Sequence, residues 1–349
     1  MIQVEHIVKD YGGRKAVDDL SFTLEKGNIY GFLGPNGAGK TTTMNIMTGY
    51  IAATTGTVTV NGHDILREAE EAKKNIGYLP ELPPVYGDMT VAEYLSFVAD
   101  LKKVPKSERR DGIAKVVKMT MLGGYTGRMI RNLSKGYRQR VGLAQALIGN
   151  PEIVILDEPT VGLDPQQIIE IRNLIRSLKE DHIVVLSSHI LSEVNEVCDE
   201  VIIISQGKMV AQGTPAELER TYSGEAHLHL KVIAEKDVIR QALQDLDGIA
   251  DLSIADEEGV FSSREVTVIM EEGTDIREQV ARAFLMTGTP VIEMRMEQRT
   301  LEDVFLTVTQ ATPGEITRKA DPAPEETAAP PEEETDPAPE ENTEGGAET

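Results

Sequence analysis

Several residue types and patterns are scarce in this chain of 349 residues. It has a single cysteine, Cys198, so no disulfide can form within the chain, which suits a reducing compartment. No apolar run approaches the roughly 20 residues that a membrane-spanning helix needs. The first residues lack the basic and then apolar pattern of a signal peptide. We therefore expect a cytoplasmic chain that does not insert into the membrane by itself.

Positive charge is also scarce, because 35 Lys and Arg stand against 58 Asp and Glu and the net charge is −23. Residues 320–349 hold eleven acidic residues and no basic one. The rest of the chain is acidic as well, so nucleic acid is not an expected partner. Residues 313–349 are rich in Pro, Glu, Ala and Thr and have almost no apolar side chains. This composition predicts a disordered acidic tail.

A glycine-rich stretch follows the pattern Gly, four residues, Gly-Lys-Thr. Its residues are Gly34, Pro35, Asn36, Gly37, Ala38, Gly39, Lys40, Thr41 and Thr42. A buried strand is predicted at 28–33 and a helix start at 42–47, so the stretch predicts a phosphate-binding P-loop at a helix N-terminus. Lys40 would reach the β- and γ-phosphates of a nucleotide, and the Thr41 hydroxyl would contact Mg²⁺. A glycine-rich turn without a nucleotide does not account for this order of strand, loop, Lys-Thr and helix.

Two adjacent carboxylates, Asp157 and Glu158, follow the apolar run 153–156. Ligands of α/β sheets bind at the carboxyl ends of the strands. Asp157 would hold Mg²⁺ through water, and Glu158 would orient and deprotonate the water that attacks the γ-phosphate. The alternative is a solvated strand end, and the presence of a P-loop in the same chain favours the catalytic interpretation.

The wider pattern predicts an α/β protein in which strands and helices alternate around a mostly parallel sheet. The period becomes helical at 90–122, which indicates an inserted helical subdomain at about 85–150. We place this first domain at residues 1–222. The order of strand-like and helical stretches in residues 225–310 predicts a small C-terminal α+β domain of the ferredoxin-like kind.

Residues 132–140 read Asn-Leu-Ser-Lys-Gly-Tyr-Arg-Gln-Arg. They resemble the signature sequence of ABC-type ATPases, which is usually Leu-Ser-Gly-Gly-Gln. Residues 159–165 resemble the D-loop of that family, and residues 187–189 resemble its switch histidine segment. The likeness runs in order from about residue 2 to 219. The layout of the chain is similar to the exporter branch of the gliding-motility, multidrug and polysaccharide type.

The resemblance implies an ABC-type P-loop ATPase domain that binds ATP and Mg²⁺ and hydrolyses ATP. It implies a subunit that works beneath a separate membrane-spanning permease, peripheral at the inner face of the cell membrane. A second ATP-binding subunit, identical or similar, would clamp ATP between its P-loop and Ser134 and Gly136 of the first. Tyr11 would stack on adenine, Asp164 would couple the two sites, and His189 would contact the γ-phosphate during catalysis.

The chain departs from the family pattern at three positions. Lys135 replaces the usual glycine of the signature, and Tyr137 replaces its glutamine. Glu81 stands where the family has a glutamine that touches Mg²⁺, and its carboxylate can still ligate a hard cation. The apolar loop that follows, residues 82–86, is either a docking surface for the permease or is packed on its own domain.

Two other functions remain open at this point. A soluble ABC ATPase acting on ribosomes or DNA usually has two nucleotide domains or a long coiled coil, and neither is evident here. A small-molecule kinase with a P-loop does not explain residues 132–140. His227 and His229 share one face of a predicted strand, but the sequence places no further ligand beside them, so a metal site is not expected there.

Overall fold

The computed structural model describes residues 1–222, 226–256, 263–271, 274–297 and 300–310. The strands are β1 Ile2–Asp10, β2 Lys15–Leu24, β3 Ile29–Leu33, β4 Thr55–Val60, β5 His63–Asp64, β6 Ile76–Leu79, β7 Ile153–Asp157, β8 Ile183–Ser188, β9 Glu200–Ser205, β10 Lys208–Gly213, β11 Ala226–Val232, β12 Ile249–Asp256, β13 Arg264–Met270 and β14 Val291–Glu297. The helices are α1 Lys40–Met47, α2 Ala69–Lys73, α3 Val91–Leu101, α4 Lys106–Met119, α5 Lys135–Leu147, α6 Pro165–Leu178, α7 Leu191–Val197, α8 Pro215–Tyr222, α9 Lys236–Leu243, α10 Arg277–Met286 and α11 Leu301–Gln310. Within these residues, no helix combines the length and the apolarity that a bilayer crossing requires.

The central sheet has six strands in the order β10-β9-β3-β8-β7-β6, and only the pair of β10 with β9 is antiparallel. Every residue of β3 and of β7 is buried. Burial on both faces explains why these strands are continuous apolar runs and do not alternate. The predicted α/β fold with a mostly parallel sheet is confirmed.

A second, antiparallel sheet has the order β2-β1-β4-β5 and packs over helix α1. Its buried side chains share one core with Met44 and Met47 of α1. Phe22 of β2 lies edge-on to Phe32 of β3, with ring centroids 5.2 Å apart. The P-loop helix is therefore held between two sheets.

The helical insert lies between β6 and β7 in the chain and contains α3 and α4. Helix α3 begins at Thr90, whose hydroxyl accepts from the Glu93 amide while the Glu93 carboxylate accepts from the Thr90 amide, a capping box. The apolar face predicted for this helix is buried, and it consists of Val91, Tyr94, Leu95 and Val98. These side chains join the core that also contains α5 and the inner strands.

The C-terminal sheet has the order β12-β13-β11-β14 and is antiparallel throughout. Helices α9 and α10 pack on one face of it. Its elements follow the order β-α-β-β-α-β, the order of the ferredoxin-like motif. Residues 257–262 and the predicted tail at 313–349 lie outside the described residues.

Helix α11 packs on the first domain, although it follows the C-terminal sheet in the chain. Its residues Leu301, Val304 and Val308 are buried in the same core as α5 and α6. It contacts α7, α8, β9 and β10, and the Leu301 amide donates to the carboxylate of Glu219 on α8. The sequence pattern groups this helix with the C-terminal domain at 225–310, because periodicity alone does not tell which core an apolar face joins.

The residue pattern does not predict five of these elements, which are β5, α2, β10, α8 and β12. It predicts one long strand or a strand pair at 260–270, where the described residues form β13. Strand β10 turns back from β9 at Gln206 and Gly207, which both have positive φ. Such a short hairpin at a sheet edge has a weak sequence signal, because only Ala211 of β10 is buried.

Candidate active site

Three segments meet at one edge of the central sheet. Strands β3, β8 and β7 are neighbours and parallel, so their carboxyl ends lie side by side. The P-loop follows β3, Glu158 follows β7, and His189 follows β8. This edge is where ligands of open α/β sheets bind.

The P-loop is a backbone turn that only glycine permits at two points. Gly39 has φ 107° and Gly37 has φ 80°, in the left-handed region. A Cβ on Gly39 would lie 2.4 Å from the carbonyl oxygen of Ala16, and one on Gly34 would lie 2.4 Å from that of Ile204. The loop is therefore tightly packed between β2 and β9 and leads directly into α1, and the N-terminus of a helix suits an anion.

Lys40 opens helix α1 and is buried. Its ammonium donates to the carbonyl oxygen of Gly34 at 2.6 Å and to that of Pro35 at 3.3 Å. Burial lowers the pKa of Lys40, and the nearby carboxylates of Glu158 and Asp157 act in the opposite direction. The ammonium of Lys40 thus lies inside the loop, at the place where phosphate oxygens would be bound.

Asp157 is only 2% exposed at the end of β7. The hydroxyl of Ser187 donates to its carboxylate at 2.5 Å and accepts from the Glu158 amide at 2.9 Å. Ser187 is the penultimate residue of the neighbouring strand β8 and holds both acidic residues through hydrogen bonds. Its position within the predicted switch segment gave no sign of this role.

Glu158 has φ 50°, an uncommon backbone conformation that turns its side chain out of the strand direction. Its carboxylate lies 2.9 Å from Nδ1 of the exposed His189. Burial raises the pKa of Glu158, and the hydrogen bond to His189 partly offsets that rise. A carboxylate with an elevated pKa and an orienting partner is suited to accept a proton from water.

A cleft of about 890 Å³ brings most of the predicted site residues together. Its lining includes Tyr11, Asn36, Gly37, Ala38, Gly39, Lys40, Thr41, Thr42, Glu81, Glu158 and His189. Tyr11 is 56% exposed, and Lys9 approaches its ring at 5.2 Å. The cleft is also lined by Arg14, Lys15 and Gln206, which the sequence analysis did not single out.

The signature segment does not line this cleft. Ser134 is the N-cap of α5, and its hydroxyl accepts from the Tyr137 amide at 3.4 Å. Gly136 is buried under Gln167 of α6, whose Oε1 lies 2.0 Å from where a Cβ would be. Asp164 is also outside the cleft and caps α6, accepting from the Gln167 amide at 2.9 Å. One chain therefore presents the P-loop and the signature at separate places.

The two departures within the signature have local partners. Tyr137 stacks on Tyr125 with ring centroids 3.9 Å apart, and the Arg128 guanidinium lies over the Tyr125 ring. Lys135 reaches over Gly162, where a Cβ would lie 2.0 Å from its ammonium. The lysine therefore joins the start of α5 to the D-loop within one chain.

A buried glutamate, Glu193 on α7, contacts both the segment after β7 and the end of β8. The sequence analysis did not identify it. It is 2% exposed, and its Oε2 accepts from Thr160 at 2.7 Å and from Ser188 at 3.1 Å. Its Oε1 lies 3.5 Å from Arg172, which makes an ion pair but not a hydrogen bond. Thr160 stands two residues after Glu158 and Ser188 one residue before His189. Glu193 is thus a positioning residue for that pair.

We expect Glu193→Gln to lower kcat roughly 10-fold, because small displacements of catalytic groups are costly. Loss of the charged acceptor should also cost roughly 1–3 kcal/mol of the free energy of unfolding. Nucleotide affinity should change little, since Glu193 does not line the cleft. Steady-state hydrolysis and nucleotide titration check this. Glu196→Gln is the matched control, because Glu196 also pairs with Arg172 but is exposed. An unchanged kcat in Glu193→Gln would show that Glu193 does not position the catalytic pair.

Known proteins are similar to this chain in sequence. A family model described as "ABC transporter" matches residues 17–161. The linearmycin resistance ATP-binding protein LnrL of Bacillus subtilis is 31% identical over 317 residues, which cover 89% of this chain and 99% of LnrL. The bacitracin transport ATP-binding protein BcrA of Bacillus licheniformis is 33% identical over 308 residues, covering 88% and 96%.

The fold has solved counterparts as well. The dimeric structure of MJ0796, a bacterial ABC transporter cassette, aligns with 25% identity and a TM-score of 0.56, covering 61% of this chain and 98% of the cassette. The resemblance drawn from residues 132–140 and the segments around them is confirmed. The chain belongs to the ABC transporter family, as one of its ATP-binding and ATP-hydrolysing subunits.

Proposed function

We propose that two copies of this chain, or this chain and a similar one, close around two ATP molecules and so drive a separate membrane-spanning permease. The observation that carries the proposal is the separation of the P-loop cleft from Ser134 and Gly136. A helix N-terminus capped by serine is an anion site that has no phosphate to bind within one chain. The dimeric structure of the MJ0796 cassette supports this arrangement.

The site residues predicted from the sequence have proposed roles. Lys40 and the amides of the P-loop bind the β- and γ-phosphates, and Tyr11 stacks on the adenine ring. Glu158 orients water and accepts its proton, while His189 holds Glu158 and contacts the γ-phosphate. Asp164 caps α6, the helix whose Gln167 covers Gly136 of the signature, and couples the two nucleotide sites.

The cleft also fits a magnesium ion, because hard oxygen donors stand beside the P-loop. Thr41 and Glu81 line the cleft, and Asp157, held by Ser187, is close enough to act electrostatically on Lys40 of the P-loop. When bound, Mg²⁺ neutralises charge that develops on the phosphate oxygens. We propose Thr41, Asp157 and Glu81 as the residues that hold it.

Glu81→Gln should change the Mg²⁺ dependence of hydrolysis more than the affinity for nucleotide. The substitution removes one carboxylate from the ion's surroundings and leaves the phosphate-binding loop intact. Hydrolysis measured over a Mg²⁺ series should show a shifted half-saturation point. Superimposable Mg²⁺ curves for the variant and the parent chain would mean that Glu81 stays away from the ion.

The loop after Glu81 is a candidate docking surface for the permease. Pro83 packs against Gly142 of α5, and the Tyr94 hydroxyl donates to the carbonyl of Pro84. The loop is thus anchored to its own domain, yet Leu82 is 77% exposed and Tyr86 is 54% exposed. Exposed apolar side chains on an anchored loop suit a protein partner. We place the subunit at the inner face of the membrane through this contact.

We propose export as the direction of transport. LnrL is named for resistance to linearmycin and BcrA for transport of bacitracin, and both align over almost their whole length.

We further propose that residues 1–222 are the ATPase domain, with its helical part at about 85–150. Residues 225–310 are then a C-terminal domain whose last helix, α11, packs on the ATPase domain. The acidic tail at 313–349 is proposed to contribute little to ATP binding.

Ser134→Arg tests the two-chain site. An arginine at the cap would place bulk where the γ-phosphate of the other subunit must lie, so hydrolysis should fall to background. Nucleotide affinity of the isolated chain should stay within about threefold, because the P-loop is untouched. Ser107→Arg, on an exposed serine of α4, is the matched control. Normal hydrolysis by Ser134→Arg would leave the two-chain proposal without its main support.

A further inference from the structure

Two histidines of the C-terminal sheet lie on the face away from its helices. Leu228, Leu230 and Val232 of β11 are buried under α9 and α10. Side chains alternate along a strand, so His227 and His229 point to the opposite face. Both rings are partly exposed, and their centroids are 6.3 Å apart. The two imidazoles are therefore neighbours on an accessible surface.

Strand β14 adds a carboxylate that could not be located from the sequence. Glu297 pairs directly with His227 in the β11–β14 register. Its Oε2 also reaches Nε2 of His229, at 2.5 Å. Cross-strand neighbours of this kind are held close by the backbone ladder itself. One potential ligand atom from each of the three residues lies within 4.8 Å of the other two.

The ring of His229 is already oriented. Its Nδ1 lies 3.1 Å from the hydroxyl of Thr267 on β13. This contact occupies one ring nitrogen and leaves Nε2 directed at Glu297. Metal-bound histidines usually have such a partner on their second nitrogen, because it fixes the ring and its tautomer.

We propose that His227, His229 and Glu297 form a binding site for a divalent transition ion such as Zn²⁺ or Co²⁺. Ligands about 2.0–2.1 Å from a tetrahedral zinc ion lie roughly 3.4 Å from one another, so small side-chain rotations suffice to close the set. Two neutral imidazoles and one carboxylate favour Zn²⁺ or Co²⁺ over Mg²⁺ or Ca²⁺, which prefer oxygen. Water would complete the coordination.

The same face carries charges of both signs around the site. In the register of β11 and β14, Arg295 lies opposite His229 and Lys231 lies opposite Glu293. The positive charge of Arg295 opposes a cation, so affinity must come from the directed imidazole ligands. Because Glu297 would be bound together with both histidines, the ion would fasten β14 to β11.

The test is a titration of the full chain, stripped of metal by a chelator and held in excess Mg²⁺ so that oxygen-rich sites are filled. Co²⁺ is added alone and followed by its visible absorption. We expect one Co²⁺ per chain, with the intense bands of a four-coordinate site that contains nitrogen. Zn²⁺ should displace the Co²⁺ and abolish the bands.

Variants assign the ligands. His227→Ala, His229→Ala and Glu297→Gln should each raise the Kd at least about 10-fold, and Thr267→Val should raise it about 10-fold through the second nitrogen of His229. His63→Ala is the matched control, because His63 also pairs with a surface carboxylate, that of Glu68, but has no place in the site. Circular dichroism and ATP hydrolysis should be unchanged in every variant.

The proposal is overturned if the parent chain gives no Co²⁺ bands. It is equally overturned if His227→Ala and Glu297→Gln, folded by circular dichroism, bind Co²⁺ as tightly as the parent. Glu297→Gln keeps the shape of the side chain, so we expect it to fold. It therefore still tests the site if a histidine variant fails to fold. The nucleotide site is not involved, so the result is independent of the proposed transport function.

Discussion

Glu158→Gln is expected to lower the rate of ATP hydrolysis by about 10²–10⁴-fold while ATP remains bound. The amide has the shape of the carboxylate but cannot accept a proton from water. Burial raises the pKa of Glu158, which makes the native carboxylate a better proton acceptor than an exposed one. The residues assigned to phosphate binding, including Lys40 and the loop amides, are not altered.

Phosphate release under single-turnover conditions and nucleotide titration separate the two effects. The native chain should lose hydrolysis as the pH falls through the elevated pKa of Glu158, because the protonated carboxyl cannot act as a base, and this acid limb should be absent from the residual rate of the variant. Glu180→Gln, on an exposed glutamate, is the matched control. A Glu158→Gln protein that hydrolyses at the native rate would exclude Glu158 as the base.

Lys40→Ala is expected to abolish tight ATP binding, with a loss of about 100-fold or more in affinity. Truncating one partner of a buried, charged contact typically costs roughly 2–5 kcal/mol. Here the loss is aggravated because the carboxyl groups of Asp157 and Glu158 remain near the incoming phosphates without the ammonium group that they face. The lysine also spans the carbonyl groups of Gly34 and Pro35, so its removal loosens the loop itself.

A fluorescent ATP analogue titrated against both proteins measures this loss directly. Lys26→Ala is the matched control, because Lys26 is an exposed lysine outside the cleft. Equal affinities of Lys40→Ala and the native chain would refute the role assigned to Lys40. Thermal unfolding without nucleotide should be recorded in parallel, so that a folding defect is recognised.

The parts of the site that the sequence predicted are those encoded by contiguous residues. The P-loop needs its glycines, lysine and flanking strand and helix within about 20 residues of one another. The expectation that Asp157 and Glu158 approach it followed from the rule that ligands bind at the carboxyl ends of parallel strands. That rule does not give the strand order, in which β8 lies between β3 and β7 and brings Ser187 to both acidic residues.

The parts that escaped prediction depend on contacts between distant segments. Glu193 lies in α7 together with the buried residues Val194 and Val197. Only the tertiary fold brings Thr160 and Ser188 to its carboxylate. Glu297 is 68 residues from His229, and its approach depends on the register of two strands. Helix α11 is amphipathic, but nothing in its own residues states which core it will join.

The central claim, that ATP is clamped between two chains, is tested most directly by light scattering of Glu158→Gln with and without Mg-ATP. Blocked hydrolysis should let the closed form accumulate, so the mass should double from that of one chain, 38.2 kDa. Adding Ser134→Arg should return the mass to that of one chain while ATP remains bound. A Glu158→Gln protein that stays monomeric while saturated with ATP would contradict the claim.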